Sequence, residues 1–105
     1  MGKQRVAIVG TGQTFHKSHR PDVNGQELIH EAVQRALADA GLTIGDIDAV
    51  VIGNMDHFEG INYVDCWSVD GAGAYMKPII KLTTGGTTGS TLAIGGYHLV
   101  ASGLF

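Results

Sequence analysis

The feature that most constrains the fold is an alternation of short apolar runs with helical patterns. Residues 5–9, 49–52 and 78–82 are brief, apolar and closed by glycine or turn residues, the mark of buried strands. After the first run, Asn24 offers a helix cap and Glu27 stands three residues later, as in a capping box. Leu28, Ile29, Ala32, Val33, Ala36, Leu37 and Ala40 follow helical spacing, and Gly41 supplies a stop. Residues 61–69 carry a weaker helical pattern, broken by Gly71-Ala72-Gly73-Ala74. Residues 88–102 predict another helix, its buried face formed by Leu92, Leu99 and Val100 with the small Gly89, Ala93 and Gly96. Strand, helix, strand, helix, strand, helix is the order of βαβ units, so the chain is expected to be α/β, a mostly parallel sheet covered by helices. Three wholly apolar strands require cover on both faces. An open sheet edge would be met by later chain, a second subunit or both.

The 105 residues suffice for one small domain. A net charge of −3 gives no electrostatic footprint for nucleic acid. The single cysteine, Cys66, rules out an internal disulfide and a cysteine metal pair, and predicts a reducing, cytoplasmic location. No secretory leader is expected, because Lys3 and Arg5 precede an apolar run of only residues 6–9. No stretch has the length of a membrane span. The pattern stops after a helix with no polar tail, so residues 1–105 are read as a partial domain.

Chemistry concentrates in three places. The first is the elbow Thr83-Thr84-Gly85-Gly86-Thr87-Thr88-Gly89-Ser90, between a strand and a helix. It lacks the lysine of a phosphate loop. A sharp turn into a helix N-terminus delivers backbone N–H groups to an oxyanion or thioester oxygen. Its alternative role is a glycine turn that lets the helix pack close to the sheet. The second is Asn54, Asp56, His57 and Glu59, after the second strand and on the same sheet edge, where open α/β sheets place their sites. His57 is the candidate acid or base there; the alternative is a solvated loop. No second histidine stands at ligand spacing, so no metal is expected.

The third is Gly10-Thr11-Gly12-Gln13-Thr14-Phe15, which opens like a dinucleotide fingerprint but has Phe15 in place of the third glycine. The long loop after it argues for a plain turn over an NAD(P) site. His16, His19, His30 and His98 read as surface or capped residues, and Cys66 as a buried, inert thiol. Tyr63, Trp67 and Tyr75 read as core or subunit contact.

Arg5-Val6-Ala7-Ile8-Val9-Gly10-Thr11-Gly12, the helix end Ala36-Leu37-Ala38-Asp39-Ala40-Gly41-Leu42, the run Ile44-Gly45-Asp46-Ile47-Asp48-Ala49-Val50-Val51-Ile52-Gly53 and the helix Gly89-Ser90-Thr91-Leu92-Ala93-Ile94 stand in an order that resembles the N-terminal domain of thiolases. The nearest branch is the sterol-carrier-protein, or lipid-transfer, type. The resemblance covers essentially the whole chain. It implies a fold of two similar βαβαβαββ halves, of which residues 1–105 would be the βαβαβα part of the first. It implies a homodimer with the third strand at the subunit interface, and coenzyme A thioesters as substrate, with no cofactor held by these residues.

The chain departs from that family where the chemistry lies. Aligning Thr88-Gly89-Ser90 with the family pattern puts Gly86 at the position of the nucleophilic cysteine. Thr87 and Thr88 beside it are poor substitutes without an activating base. Gly85, Gly86 and Thr88 are the residues expected to hold the thioester oxygen. Some thiolase-fold proteins that lack the cysteine are aldolases on acyl-CoA esters and work with a zinc-ribbon and OB-fold protein. The glycine-rich turn here resembles theirs. The resemblance thus implies thiolase-type acyl transfer as the family reaction and retro-aldol cleavage as the one that agrees better with Gly86; a non-catalytic acyl-CoA-binding or structural subunit is the other class of role, and residues 1–105 alone are expected to be inactive.

Overall fold

The computed structural model describes residues 4–57 and 59–105. In chain order these form α1 (Gly25–Ala40), a 3-10 turn (Ile44–Asp46), β1 (Val50–Ile52), α2 (Val64–Trp67), α3 (Val69–Ala72), β2 (Ile79–Lys81) and α4 (Thr88–Ala101). The α/β class is as the sequence predicts.

Local signals place α1. Asn24 Oδ1 accepts from the Glu27 N–H at 2.9 Å, while the Asn24 N–H donates to Glu27 Oε1 at 3.1 Å. Both satisfy amides that the first helical turn leaves without carbonyl partners. At the other end Gly41 adopts a left-handed φ of 69° and closes the helix.

The two strands are parallel, with Val50 opposite Ile79, Val51 opposite Ile80 and Ile52 opposite Lys81. One sheet face carries the core, where Ile52, Val64 and Ala72 are buried and Ile29, Val50, Trp67 and Ile79 pack around them. The other face meets α4 so closely that a Cβ on Gly95 would lie 2.3 Å from Leu82 Cδ1. Gly95 therefore serves the close packing expected of Gly89 and Ala93, which are exposed, as is Val100.

The expected strand at residues 5–9 has no partner strand among the described residues. Gln4 O accepts from the Tyr97 hydroxyl at 3.0 Å. Gly10 and Gly12 then press against α1, where a Cβ on Gly12 would sit 2.3 Å from the Ala36 nitrogen. Ile8 is 84% exposed. Apolarity and a closing glycine define an extended apolar segment; a strand also needs a hydrogen-bonded edge, and this segment is anchored to helices. The same contacts explain Gly10 and Gly12 without a phosphate. An apolar groove of about 380 Å³ runs between α1 and β1, lined by Ile29, Val33, Leu37, Ile47 and Val50 among others.

The middle helical pattern divides into α2 and α3 at Ser68, and the stop is Gly73 at φ 71°. Gly71 lies inside α3, buried, where a Cβ would meet the Gln26 carbonyl oxygen at 2.5 Å. Cys66 is exposed on α2, against the expectation of a buried thiol. Tyr63 and Tyr75 are exposed too, and of the three aromatic residues only Trp67 packs into the core. No helix among the described residues is long and apolar enough to cross a membrane.

Candidate functional site

The elbow is built from threonine hydroxyls. Thr88 Oγ1 donates to the Thr84 carbonyl at 2.8 Å and accepts from the Thr84 N–H at 3.0 Å. Thr84 Oγ1 meets Thr87 Oγ1 at 2.8 Å and Thr91 Oγ1 at 3.2 Å. The Gly86 N–H donates back to the Thr84 carbonyl at 2.9 Å, closing a tight turn in which Gly86 has φ 124°. That conformation is open to glycine and strained for other residues. The sequence pointed to these residues; their mutual hydrogen bonding is a finding of the structure.

The hydroxyls of Thr87 and Thr88 are thus engaged in holding the turn. The first α4 amides have no carbonyl of their own helix to bond, and the N-cap Thr87 makes no side-chain cap bond. No acidic residue occupies that first turn. The helix N-terminus therefore keeps its donors and its partial positive charge.

Across from the elbow lies the end of β1. Thr83 Oγ1 donates to the Asn54 carbonyl at 3.0 Å, tying the two edges together. Gly53 is where they touch, for a Cβ there would lie 2.3 Å from the Leu82 carbonyl oxygen and 2.5 Å from Thr88 Cγ2. Between the edges opens a hollow of about 300 Å³, lined by Gly53, Asn54 and Met55 on one side and Gly86, Thr88 and Gly89 on the other. Of the sequence candidates, Gly86 and Thr88 line it; Thr87 and Gly85 are exposed on the adjoining turn. His57 is exposed on the loop that follows Met55.

Asn54 Nδ2 donates to Glu59 Oε2 at 3.0 Å, so two members of the polar group on the β1 loop pair with one another. Asp56 behaves differently. It is buried, and its Oδ2 accepts from both Lys81 Nζ and the Tyr63 N–H. The Lys81 hydrogen bond holds the Asp56 carboxyl below the usual carboxylate range, against the opposing effect of burial. Lys81 was not among the sequence candidates. It reads as one residue of an apolar strand, and its partner lies 25 positions away. Among the described residues, no group of three or more His, Cys, Asp or Glu could hold a metal ion.

No family model matches the chain. Sterol carrier protein 2 of Gallus gallus is 33% identical over 105 residues, spanning 97% of this chain and 18% of that protein. An acetyl-CoA acetyltransferase of Methanothermobacter thermautotrophicus is 31% identical over 100 residues, spanning 93% of this chain and 26% of that enzyme. The chain is a weak homologue of both. The relation is to thiolase-related proteins, and the chain spans no more than about a quarter of the length of either relative.

Proposed function

We propose that the chain is the N-terminal part of a thiolase-like protein that acts on acyl-CoA thioesters at a carbon–carbon bond, with the hollow between the elbow and the end of β1 holding the thioester oxygen. The observation that carries this reading is the uncapped start of α4 opening onto that hollow, in a chain whose relatives are named a sterol carrier protein and an acetyl-CoA acetyltransferase. Backbone N–H groups preorganised around a developing oxyanion stabilise it most where water is excluded.

Gly86 bears on the reaction class. A glycine at the nucleophile position has no side chain to carry an acyl group, and its φ of 124° suits no L residue. This supports the cysteine-less alternative, a retro-aldol cleavage of a β-hydroxyacyl-CoA. In that step a base removes the β-hydroxyl proton, the Cα–Cβ bond breaks to release a carbonyl product, and the electron pair moves into the thioester enolate. The amides at the start of α4 hold the enolate oxygen until a proton returns to Cα, the Gly86 N–H being engaged by the Thr84 carbonyl. His57, at the same sheet edge, is the candidate acid or base within this chain. The rest of the machinery, a homodimeric assembly, a zinc-ribbon and OB-fold partner protein, and a cytoplasmic setting belong to the same proposal. A non-catalytic acyl-CoA-binding subunit is the competing role.

The test is to incubate the full protein with a β-hydroxyacyl-CoA, and separately with a β-ketoacyl-CoA plus CoA. Cleavage of the first without a covalent adduct is the expected result. An acyl adduct detected by intact mass would overturn the cysteine-less reading, and the absence of both turnover and CoA-ester binding would overturn the acyl-CoA assignment.

A further inference from the structure

We infer that Asp56 and Lys81 form a positioning pair that fixes the Gly53–Asn54–Met55 wall of the hollow, and with it the place available to the acyl group next to the thioester. The inference rests on the acyl-CoA reading of that hollow for its ligand, and on the geometry of the loop for everything else. Met55 is 48% exposed and lines the hollow, and the next residue, Asp56, is 8% exposed. The chain thus turns inward within one residue of the wall.

Asp56 makes that turn at φ 64°, in the left-handed region, and Tyr63 at the far end of the same loop has φ 64° as well. Non-glycine residues hold such conformations only where their surroundings over-determine them. Here one oxygen does so. Asp56 Oδ2 accepts from the Tyr63 N–H at 3.3 Å and from the Lys81 ammonium, which projects from the last residue of β2. The two strained ends of the loop are therefore clasped to each other and to the neighbouring strand by a single carboxylate. The other oxygen, Oδ1, is buried and has no hydrogen-bond partner among the described residues. Burying the carboxylate costs desolvation, which the Lys81 bond offsets. Its clasp matters through what it locates, the wall that Asn54 and Met55 present to Gly86 and Thr88. The second anchor of that wall, Thr83 Oγ1 on the Asn54 carbonyl, fixes position 54 alone.

The experiment compares Lys81→Met, Lys81→Arg, Asp56→Gly and the Asp56→Gly/Lys81→Met double variant in the full protein. Glycine accepts the backbone of residue 56 without strain, so its arm removes the clasp without requiring the fold to fail. Exchange of the Tyr63 amide, which donates to Asp56 Oδ2, is expected to accelerate at least about tenfold in Lys81→Met and Asp56→Gly, with α1 amides unchanged, and the double variant is expected to add little because the two residues act as one unit. Acetyl-CoA affinity is expected to fall about tenfold in the same variants and to recover in Lys81→Arg, since misplacing a binding wall weakens every contact it makes. Unchanged exchange of the Tyr63 amide in Lys81→Met would overturn the clasp. Faster exchange with unchanged acetyl-CoA affinity would overturn its role at the hollow. A wild-type protein that binds no acetyl-CoA would sink the acyl-CoA reading itself, while the exchange data would still decide the clasp.

Discussion

Thr84 and Thr88 are locked by a reciprocal pair of bonds, Thr88 Oγ1 donating to the Thr84 carbonyl at 2.8 Å and receiving the Thr84 N–H at 3.0 Å. One hydroxyl thus satisfies both backbone groups of the residue that opens the elbow. Thr88→Val keeps the shape and deletes both bonds, leaving the partly buried Thr84 amide unpaired and its carbonyl with the Gly86 N–H alone. The expected cost is about 1–3 kcal/mol, read as a lower urea midpoint with an unchanged slope. Thr88→Ser retains the hydroxyl and should recover most of the loss. Equal stability of the valine and serine variants would refute this account of the turn.

Glycines around the hollow divide by what a Cβ would meet. At Gly53 it would collide with the Leu82 carbonyl oxygen at 2.3 Å, a backbone atom that cannot rotate away, whereas at Gly89 nothing lies within 4 Å. Gly53→Ala should therefore destabilise by about 1–3 kcal/mol through forced backbone shifts. Gly89→Ala should leave stability unchanged or raise it by up to about 1 kcal/mol, since alanine is the better helix former. Thermal melts of the pair check the contrast, which reverses if the edges of β1 and the elbow are farther apart than described.

The capping box makes α1 the element most readily legible in the sequence. Its signals are local: Asn24, Glu27 and Gly41 act within one turn of themselves. Asn24→Ala is expected to cost about 1 kcal/mol, measurable by chemical denaturation, with Asn24→Asp close to neutral. The β1 and β2 runs were legible for a related reason, since each is apolar and bounded by turn residues. Residues 5–9 carry the same local signal and pair with no strand among the described residues, because pairing is decided by an edge elsewhere in the chain. The Asp56–Lys81 clasp was illegible on the same ground, as no periodicity joins positions 25 apart. At the site, glycine and threonine spelling revealed a turn, but not which hydroxyl bonds which backbone group.

Acid should weaken the fold through its bridged carboxylates. The guanidinium of Arg20 bonds Asp22 and Glu31, both at 3.0 Å, and its hydrogen bonds hold both carboxyls below their usual range. Lys81 does the same for Asp56. A carboxyl with a depressed folded-state pKa adds stability above its unfolded value, and that stability is lost as pH falls through the folded value. The melting temperature should therefore hold steady near neutrality and decline as pH drops below about 4. Arg20→Met removes the shifts of Asp22 and Glu31, so its deficit relative to wild type should shrink toward low pH. A deficit independent of pH would show that Arg20 acts by packing alone.

Gly86 offers the sharpest test of the reaction class. If the family position merely lacked its sulfur, Gly86→Cys would restore an acyl-accepting thiol. The backbone argues otherwise, because φ is 124° and the Gly86 N–H is committed to the Thr84 carbonyl at 2.9 Å. Space is not the obstacle, since a Cβ there would meet nothing within 4 Å. A side chain instead strains the turn by roughly 1–3 kcal/mol, and relieving that strain would pull Thr84 away from Thr88. Both Gly86→Ala and Gly86→Cys are thus expected to lower stability by that amount, and Gly86→Cys to gain no acyl adduct from acetyl-CoA. The alanine variant separates strain from thiol chemistry. An adduct on Gly86→Cys at wild-type stability would mean that the elbow is still shaped for a nucleophile, and the cysteine-less aldolase reading would lose its main support.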